Sequence, residues 1–435
     1  MKFQRRFFLL AIFALAIVFY LVIYSSSDFP FSNQSDSKAT SQNSISKVPS
    51  ILFDEKLWKK FVNNNGTVWN QDKFLSKFIN SSMVIVVQVH QRIENLRALI
   101  DSMRKVRFID ESLIVFSHDY YDDSINNVIR TIDFTQVTQI FFPFSTQVWI
   151  NTFPGTSYND CKRDMTRKKA IEVDCINSKY PDTYGHYRES AITQTKHHWW
   201  WKANYVLDQL PITKNHPGIF VFIEEDHYIL PDFIHSWKLM QDVKRSLNKQ
   251  NERVDIFTFG NYDKISKVAT NSNGIMYTEW FSSKHNMAFS IDRDLWTKLK
   301  LCSAVFCTYD DYNWDWTMQH IMQNCFDDPP FTLVPIIPRV MHIGTCGIHH
   351  KKSDCSIDGK IQNIKDMINS GLYFPKTFQL TRKMKTKKPK LKNNGGWSDP
   401  RDHQLCLQYE LPLKDIISGS NPNFNSFNLL NLLNY

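Results

Sequence analysis

The chain has 435 residues and a formal net charge of +9; it is 42% hydrophobic and 14% aromatic, with 12 Trp, 32 Phe and only 13 Gly. Such apolar content excludes wholesale disorder, and few glycines with no self-similar period exclude collagen, solenoid and propeller architectures. The length exceeds what one ordinary core serves, so one large or two smaller globular units are expected.

In chain order, Lys2, Arg5 and Arg6 precede an uncharged apolar stretch of 18 residues, Phe7 to Tyr24. As a helix it would span roughly 27 Å, close to the hydrocarbon thickness of a bilayer. It outruns the usual apolar core of a signal peptide, so an uncleaved anchor is expected; cleavage near Ser25, Ser26 and Ser27 is the rival. The cations before it place residues 1–6 in the cytosol and send the remainder across, a type II topology. Residues 25–80 then read as a lumenal stem, whose first half is rich in Ser, Asn, Gln and Lys with no apolar period. Three N-glycosylation triplets, at Asn33, Asn65 and Asn80, lie in this region. The eight cysteines all fall between Cys161 and Cys406 without a C-x-x-C pair, which favours lumenal disulfides over zinc ligation; spacing alone leaves their pairing open.

The globular part begins at Met83. MVIVVQV is a β-branched run; Ile93 to Met103 carries apolar residues at 93, 96, 99, 100 and 103, a helical period. A second strand and helix follow at Ser112 to Asp119 and Ile125 to Ile132, and a third strand at Val137 to Phe142. This alternation predicts an α/β unit with a mostly parallel sheet and helices on both faces, over residues 81–411. Ligands of such sheets bind at the carboxyl ends of the strands, so Gln88, His90, Arg92 and Asp119 share one candidate surface. No glycine-rich phosphate loop follows the first strand, which argues against a dinucleotide fold or a P-loop.

The chemistry is suggested further on. Ile219 to Ile223 is a buried-strand run that ends in Glu224-Glu225-Asp226; three adjacent acids call for a positive partner, and hard carboxylates suit Mg²⁺ or Mn²⁺. A solvated turn is the plain alternative. Between Cys307 and Cys325, Trp314, Met318, Ile321, Met322 and Cys325 form an apolar helical stripe, with Asp311 and Asp315 four apart on another face. That face is expected to present carboxylates to a cleft. His342 closes an apolar run from Phe331, and a structural role is its plain reading. Three adjacent tryptophans, Trp199 to Trp201, cannot share one helix face, so at least one is expected to line a groove or pack on a second layer. The cationic run Arg382 to Lys392 holds seven basic residues, no acid and no aromatic platform for bases, and reads as a solvated loop rather than a nucleic-acid site. Residues 412–435 form an Asn-rich tail without a readable motif.

The strings QVHQR, FSHD, FPFS, FPG, YPDTYGHYRES, QTKHHWWWK, EEDHY, HNM, CTYDDYNWDWT, PRVMHIG and NGGWSDPRDHQLC occur in order between Met83 and Cys406, and together they resemble the N-acetylglucosaminyltransferase II family. The resemblance implies a Golgi type II enzyme with a GT-A, Rossmann-like fold and Mn²⁺. It would move N-acetylglucosamine, with inversion, from UDP-GlcNAc to the 2-hydroxyl of the α-1,6-arm mannose of an N-glycan. It places the metal on Asp226 and His342, the base on Asp315, and nucleotide contacts on Gln88, Val89, His90, Gln91, Arg92, Asp119, Gln194, Thr195, Lys196, His197 and His198. It also implies the pairings Cys161–Cys175, Cys302–Cys325, Cys307–Cys406 and Cys346–Cys355. Residues 249–255 lack a close cysteine pair found in the family, and the following GNYDKISK departs from its pattern. Transfer to a different mannose, or a membrane-anchored glycan-binding protein without catalysis, are the alternatives that share these features.

Overall fold

A computed structural model describes residues 53–262, 273–345, 356–369, 373–384 and 392–418. The stretch from Phe7 to Tyr24, the Asn33 triplet, Cys346, Cys355, most of the basic run and the Asn-rich tail beyond Ser418 lie outside the described residues, whereas Leu413–Ser418 is a helix whose Ile416 packs into the core. Among the described residues, no helix is long and apolar enough to cross a membrane.

The central sheet has six strands in the order β1 (Val68–Trp69), β4 (Gln136–Phe141), β3 (Leu113–His118), β2 (Val84–Val89), β5 (Phe220–Glu224) and β9 (Phe289–Ile291). The inner four are parallel, and β1 and β9 close the edges antiparallel. Alternation along β2 divides the interior in two. Ile85, Val87 and Val89 pack with Leu96, Leu99 and Met103 of the helix Ile93–Met103, while Val84 and Val86 face the tryptophan helix Ser190–Asn204. Because both faces are covered, these strands read as continuous apolar runs rather than alternating ones. A four-stranded mixed sheet orders β12 (Gln379–Met384), β8 (Gly274–Glu279), β10 (Phe331–Pro335) and β7 (Ile256–Phe257), and a two-stranded ribbon pairs β11 (Val340–His342) with β6 (His227–Ile229).

Two features depart from the sequence reading. The folded unit reaches further toward the amino terminus than a stem ending at residue 80: Glu55–Asn63 is a helix whose Phe61 is buried against Phe141, and β1 pairs with β4. A two-residue strand and a nine-residue helix are too short to show a decisive period. Asp311 is not on the helix of Asp315, which begins at Trp314; it sits earlier, buried, and accepts hydrogen bonds from the backbone of Asn313 and Asn394. The three tryptophans follow the second of the expected alternatives, packing in the core rather than lining a groove. Trp199 stacks on Trp314 at 4.4 Å and 4°, Trp200 on Phe306 at 4.2 Å, and Trp201 on Tyr205 at 5.1 Å, so consecutive rings bind three different neighbours.

Disulfides Cys161–Cys175, Cys302–Cys325 and Cys307–Cys406 are formed. The latter two bracket the helix Trp314–Asn324: Cys325 is its terminal cap, and Cys307 ties the preceding helix Ser303–Thr308 to Pro400–Gln408. Each such link is worth about 2–4 kcal/mol, chiefly by limiting the unfolded chain.

Candidate active site

The parallel strands β2, β3 and β5 deliver their carboxyl ends to one place, as the register shows: Gln88 lies opposite Glu224 and Ser117. The turn Glu224-Glu225-Asp226 leaves β5 here. Glu225 is 1% exposed, and its carboxylate accepts from the backbone N–H of His90 at 2.8 Å and from Arg92 Nε at 2.8 Å. Arg92 then donates through Nη1 to Asp226 Oδ2 at 2.6 Å. One guanidinium thus bridges two acids, which offsets the cost of burying adjacent carboxylates.

Asp226 has a second partner. The ribbon β11–β6 sets His342 directly opposite His227, and this register carries His342 Nε2 to 3.1 Å from Asp226 Oδ2. Burial alone would raise the Asp226 pKa, but the hydrogen bond from His342 and the charge of Arg92 hold it well below the usual carboxylate range. Its other oxygen, Oδ1, is buried with no hydrogen-bond partner among the described residues. Packed against the pair is Gly344, where a Cβ would fall 2.3 Å from Asp226 Oδ2 and 3.0 Å from His342 Cε1.

These observations fit a divalent cation. Adjacent ligands of an octahedral Mg²⁺-like ion at about 2.1 Å lie about 3 Å apart, which the nitrogen–oxygen separation matches. A buried carboxylate oxygen left unpaired is costly unless something positive meets it. Among the described residues no group of three His, Cys, Asp or Glu side chains is arranged to hold a metal ion, so Asp226 and His342 would supply two ligands and leave the remaining positions to other oxygen donors.

Beside this pair, Asp119 closes β3. His90 Nδ1 lies 2.6 Å from its Oδ1, and Gln194 Nε2 and His198 Nδ1 lie 3.2 and 3.5 Å from its Oδ2. Burial opposes ionisation of Asp119, but His90 and His198 overcome it and hold its pKa far below normal. Beneath them Lys202 donates to Gln88 Oε1; burial lowers the Lys202 pKa to about 7, with Glu224 and Asp119 opposing that shift.

The structure therefore gathers Gln88, Val89, His90, Arg92, Asp119, Gln194 and His198 around these strand ends, with Gln91 exposed in the loop that follows β2. Thr195, Lys196 and His197 are committed elsewhere. Thr195 donates to the Ile192 carbonyl, Lys196 donates to the carbonyls of Tyr309 and Asp311, and His197 is held between Asp402 and Tyr409. Lys196 and His197 are buried, at 0% and 2% exposure, and burial lowers both pKa values. They fasten the tryptophan helix to the carboxyl-terminal segment.

On the other wall stands Asp315, half-buried in the first turn of its helix. Ser282 Oγ and Asn286 Nδ2 each donate to its Oδ2 at 2.9 Å, and the Trp316 N–H donates to its Oδ1 at 3.0 Å. Three donors on a carboxylate with about four acceptor positions hold it aimed, and leave room for one more proton donor. Tyr262 senses both walls. Its hydroxyl is pushed up to about 12, first by desolvation and then by the carboxylates of Glu224 and Asp315, with a smaller push from Asp226. Backbone hydrogen bonds link the two walls: the Gly260 N–H donates to the carbonyl of Met287, the neighbour of Asn286, at 3.2 Å, and the Val340 N–H, two residues before His342, donates to the Phe259 carbonyl at 3.1 Å.

Sequence reasoning missed Glu225 as an anchor, Ser282 and Asn286 as holders of Asp315, and Gly344 as a contact of the acid–histidine pair. Asn286 and Gly344 lie inside the strings HNM and PRVMHIG, but composition offers no reason to single them out.

An acid–histidine pair at the carboxyl ends of a parallel sheet, with a carboxylate held at the start of a neighbouring helix, suits an enzyme of group transfer. The model of the family N-acetylglucosaminyltransferase II (MGAT2) matches residues 58–406. Similar proteins include the α-1,6-mannosyl-glycoprotein 2-β-N-acetylglucosaminyltransferases of Mus musculus, 42% identical over 84% of this chain and 79% of that one, and of Sus scrofa, 41% over 80% and 77%. The Arabidopsis thaliana enzyme of that name is 33% identical over 78% of this chain and 77% of its own. The chain belongs to the N-acetylglucosaminyltransferase II family and is a glycosyltransferase.

Proposed function

We propose that this enzyme transfers N-acetylglucosamine from UDP-GlcNAc, with inversion, to the 2-hydroxyl of the α-1,6-arm mannose of N-glycans. It would do so on a GT-A type fold that is anchored in the Golgi membrane by residues 7–24, with its catalytic unit in the lumen. The acceptor reading rests on relatives named for that linkage, which align along most of their own length. The cation reading, Mn²⁺, rests on Asp226 and His342; when bound, the ion would act as a Lewis acid on the diphosphate and neutralise its growing charge.

The remaining work falls to this chain's side chains. His90, Arg92 and Asp119 form the polar floor at the strand ends and orient the nucleotide. Asp315 takes the proton of the attacking mannose hydroxyl; Ser282 and Asn286 fix Oδ2, so the carboxylate cannot swing away from the cleft. One displacement with one base inverts the anomeric centre.

The observation that most supports this reading is the pairing of Asp226 with His342 at the strand ends, together with the carboxylate of Asp315 held by Ser282 and Asn286. Steady-state kinetics of Asp315→Asn with UDP-GlcNAc and a mannose-terminated N-glycan test it. The expected result is a kcat lower by about 10²–10⁴, with UDP binding retained; unchanged turnover removes Asp315 from the mechanism. Linkage analysis of the product identifies the mannose, and a product on any other arm overturns the acceptor assignment.

A further inference from the structure

Two N-glycosylation triplets fall within the described residues, and the fold treats their asparagines differently. Asn65 follows the helix Glu55–Asn63 and lies at the outer edge of β4. Its amide behaves as a piece of strand. Oδ1 accepts from the Phe141 N–H at 2.5 Å, while Nδ2 donates to the carbonyls of Phe61 at 2.9 Å and Phe141 at 3.3 Å. The next residue continues the pairing, because the Gly66 N–H donates to the Gln139 carbonyl at 2.9 Å. Both hydrogens of Nδ2 therefore have acceptors inside the protein. N-glycosylation replaces one of these hydrogens with the anomeric carbon of a sugar. A glycan on Asn65 would put that carbon where a backbone carbonyl now sits, and would break the link between the helix and β4.

Asn80 is the opposite case. It is exposed, at the corner of a turn closed by the Ser82 N–H on the Ile79 carbonyl at 2.8 Å. That turn precedes β2 at its amino end, whereas the cleft lies at the carboxyl ends of the same sheet. A glycan there meets solvent and leaves the route of the acceptor clear.

We propose that Asn80 is an occupied N-glycosylation site of this enzyme and that Asn65, despite its intact Asn-Gly-Thr triplet, is unmodified in the native protein because its amide is a structural part of the sheet edge. The proposal rests on the lumenal address given above. Peptide mapping of the full-length chain expressed in a eukaryotic secretory host, with and without peptide-N-glycosidase, tests it alongside three variants. The expected result is sugar on the Asn80 peptide and a bare Asn65 peptide. Asn80→Gln loses one glycan's mobility shift and keeps activity. Thr67→Ala, which destroys the Asn65 triplet but spares its amide, leaves mobility, activity and melting temperature unchanged, whereas Asn65→Gln keeps the mobility and lowers the melting temperature. A glycan on Asn65 of active enzyme, or a bare Asn80 in a chain glycosylated at Asn33, overturns the inference alone. A chain bare at all three positions and cleaved by protease from the cytosolic side overturns the lumenal reading, and this inference with it.

Discussion

The two walls of the cleft are built to different standards. On the strand-end wall, Glu225, Asp226, Arg92, His90, Asp119 and His198 form a connected set of hydrogen bonds and ion pairs in which the acids are 1–4% exposed. On the opposite wall Asp315 is half-buried and held by Ser282, Asn286 and one helical N–H. The difference fits the proposed roles: a wall that would hold a cation and a diphosphate must assemble and balance its charges before the ligand comes, whereas a base must stay aimed and open to a hydroxyl. Removing a member should therefore unfold the first wall and merely slow the second.

The largest effect is expected at Glu225. Glu225→Ala removes a buried carboxylate that satisfies Arg92 and the His90 N–H, and should cost about 3–5 kcal/mol in denaturant unfolding; a loss below about 1 kcal/mol would mean that the wall is not a cooperative set. Acidification comes next. Burial lowers the folded-state pKa of His118 to about 3 and of His198 and His227 to about 4, from 6.5 when unfolded. Below pH 6.5 the unfolded chain takes up protons that the native chain refuses, so stability should fall from about pH 6.5 toward 4, by a few kcal/mol in total. Thermal melts across that range check it, and a flat profile contradicts it.

Gly344→Ala sharpens the comparison at a smaller scale. Its methyl would press on Asp226 Oδ2, so the Mn²⁺ concentration for half-maximal activity should rise about 10–100-fold, the range typical of displaced ligand supports. Little change in melting temperature is expected. The smallest effect belongs to the opposite wall. Ser282→Ala removes one of two donors on Asp315 Oδ2 and should lower kcat about tenfold with unchanged UDP binding, in line with the roughly 1.5 kcal/mol of a charge-assisted hydrogen bond. Equal losses in binding and turnover would mean that the walls are not separable.

Legibility in the sequence followed the same division. The elements beneath the strand ends were readable because both faces of the sheet are buried: MVIVV and LIVF are unbroken apolar runs, and the helix Ile93–Met103 has the bounds its apolar spacing predicts and buries Leu96, Leu99, Ile100 and Met103. The acidic turn after β5 was visible as a charge anomaly. The support of Asp315 was not, since Ser282 and Asn286 reach it from a four-residue helix that no periodicity marks. Spacing also misled at Asp311: a separation of four suggests one helix face, but that residue lies in the irregular segment before the helix begins. Lys196 and His197 sit in a conspicuous polar string, yet their partners, Asp311, Asp402 and Tyr409, come from over a hundred residues away. Pairings across that distance leave no local trace.

The central claim is that Asp226 and His342 jointly hold the cation that brings the nucleotide to Asp315. Calorimetric titration of UDP into the enzyme with and without Mn²⁺, for wild type, Asp226→Asn, His342→Ala and Asp315→Asn, tests it most directly. The account predicts Mn²⁺-dependent UDP binding in the wild type and in Asp315→Asn, and its loss in the other two. Undiminished Mn²⁺-dependent binding in both Asp226→Asn and His342→Ala would contradict it.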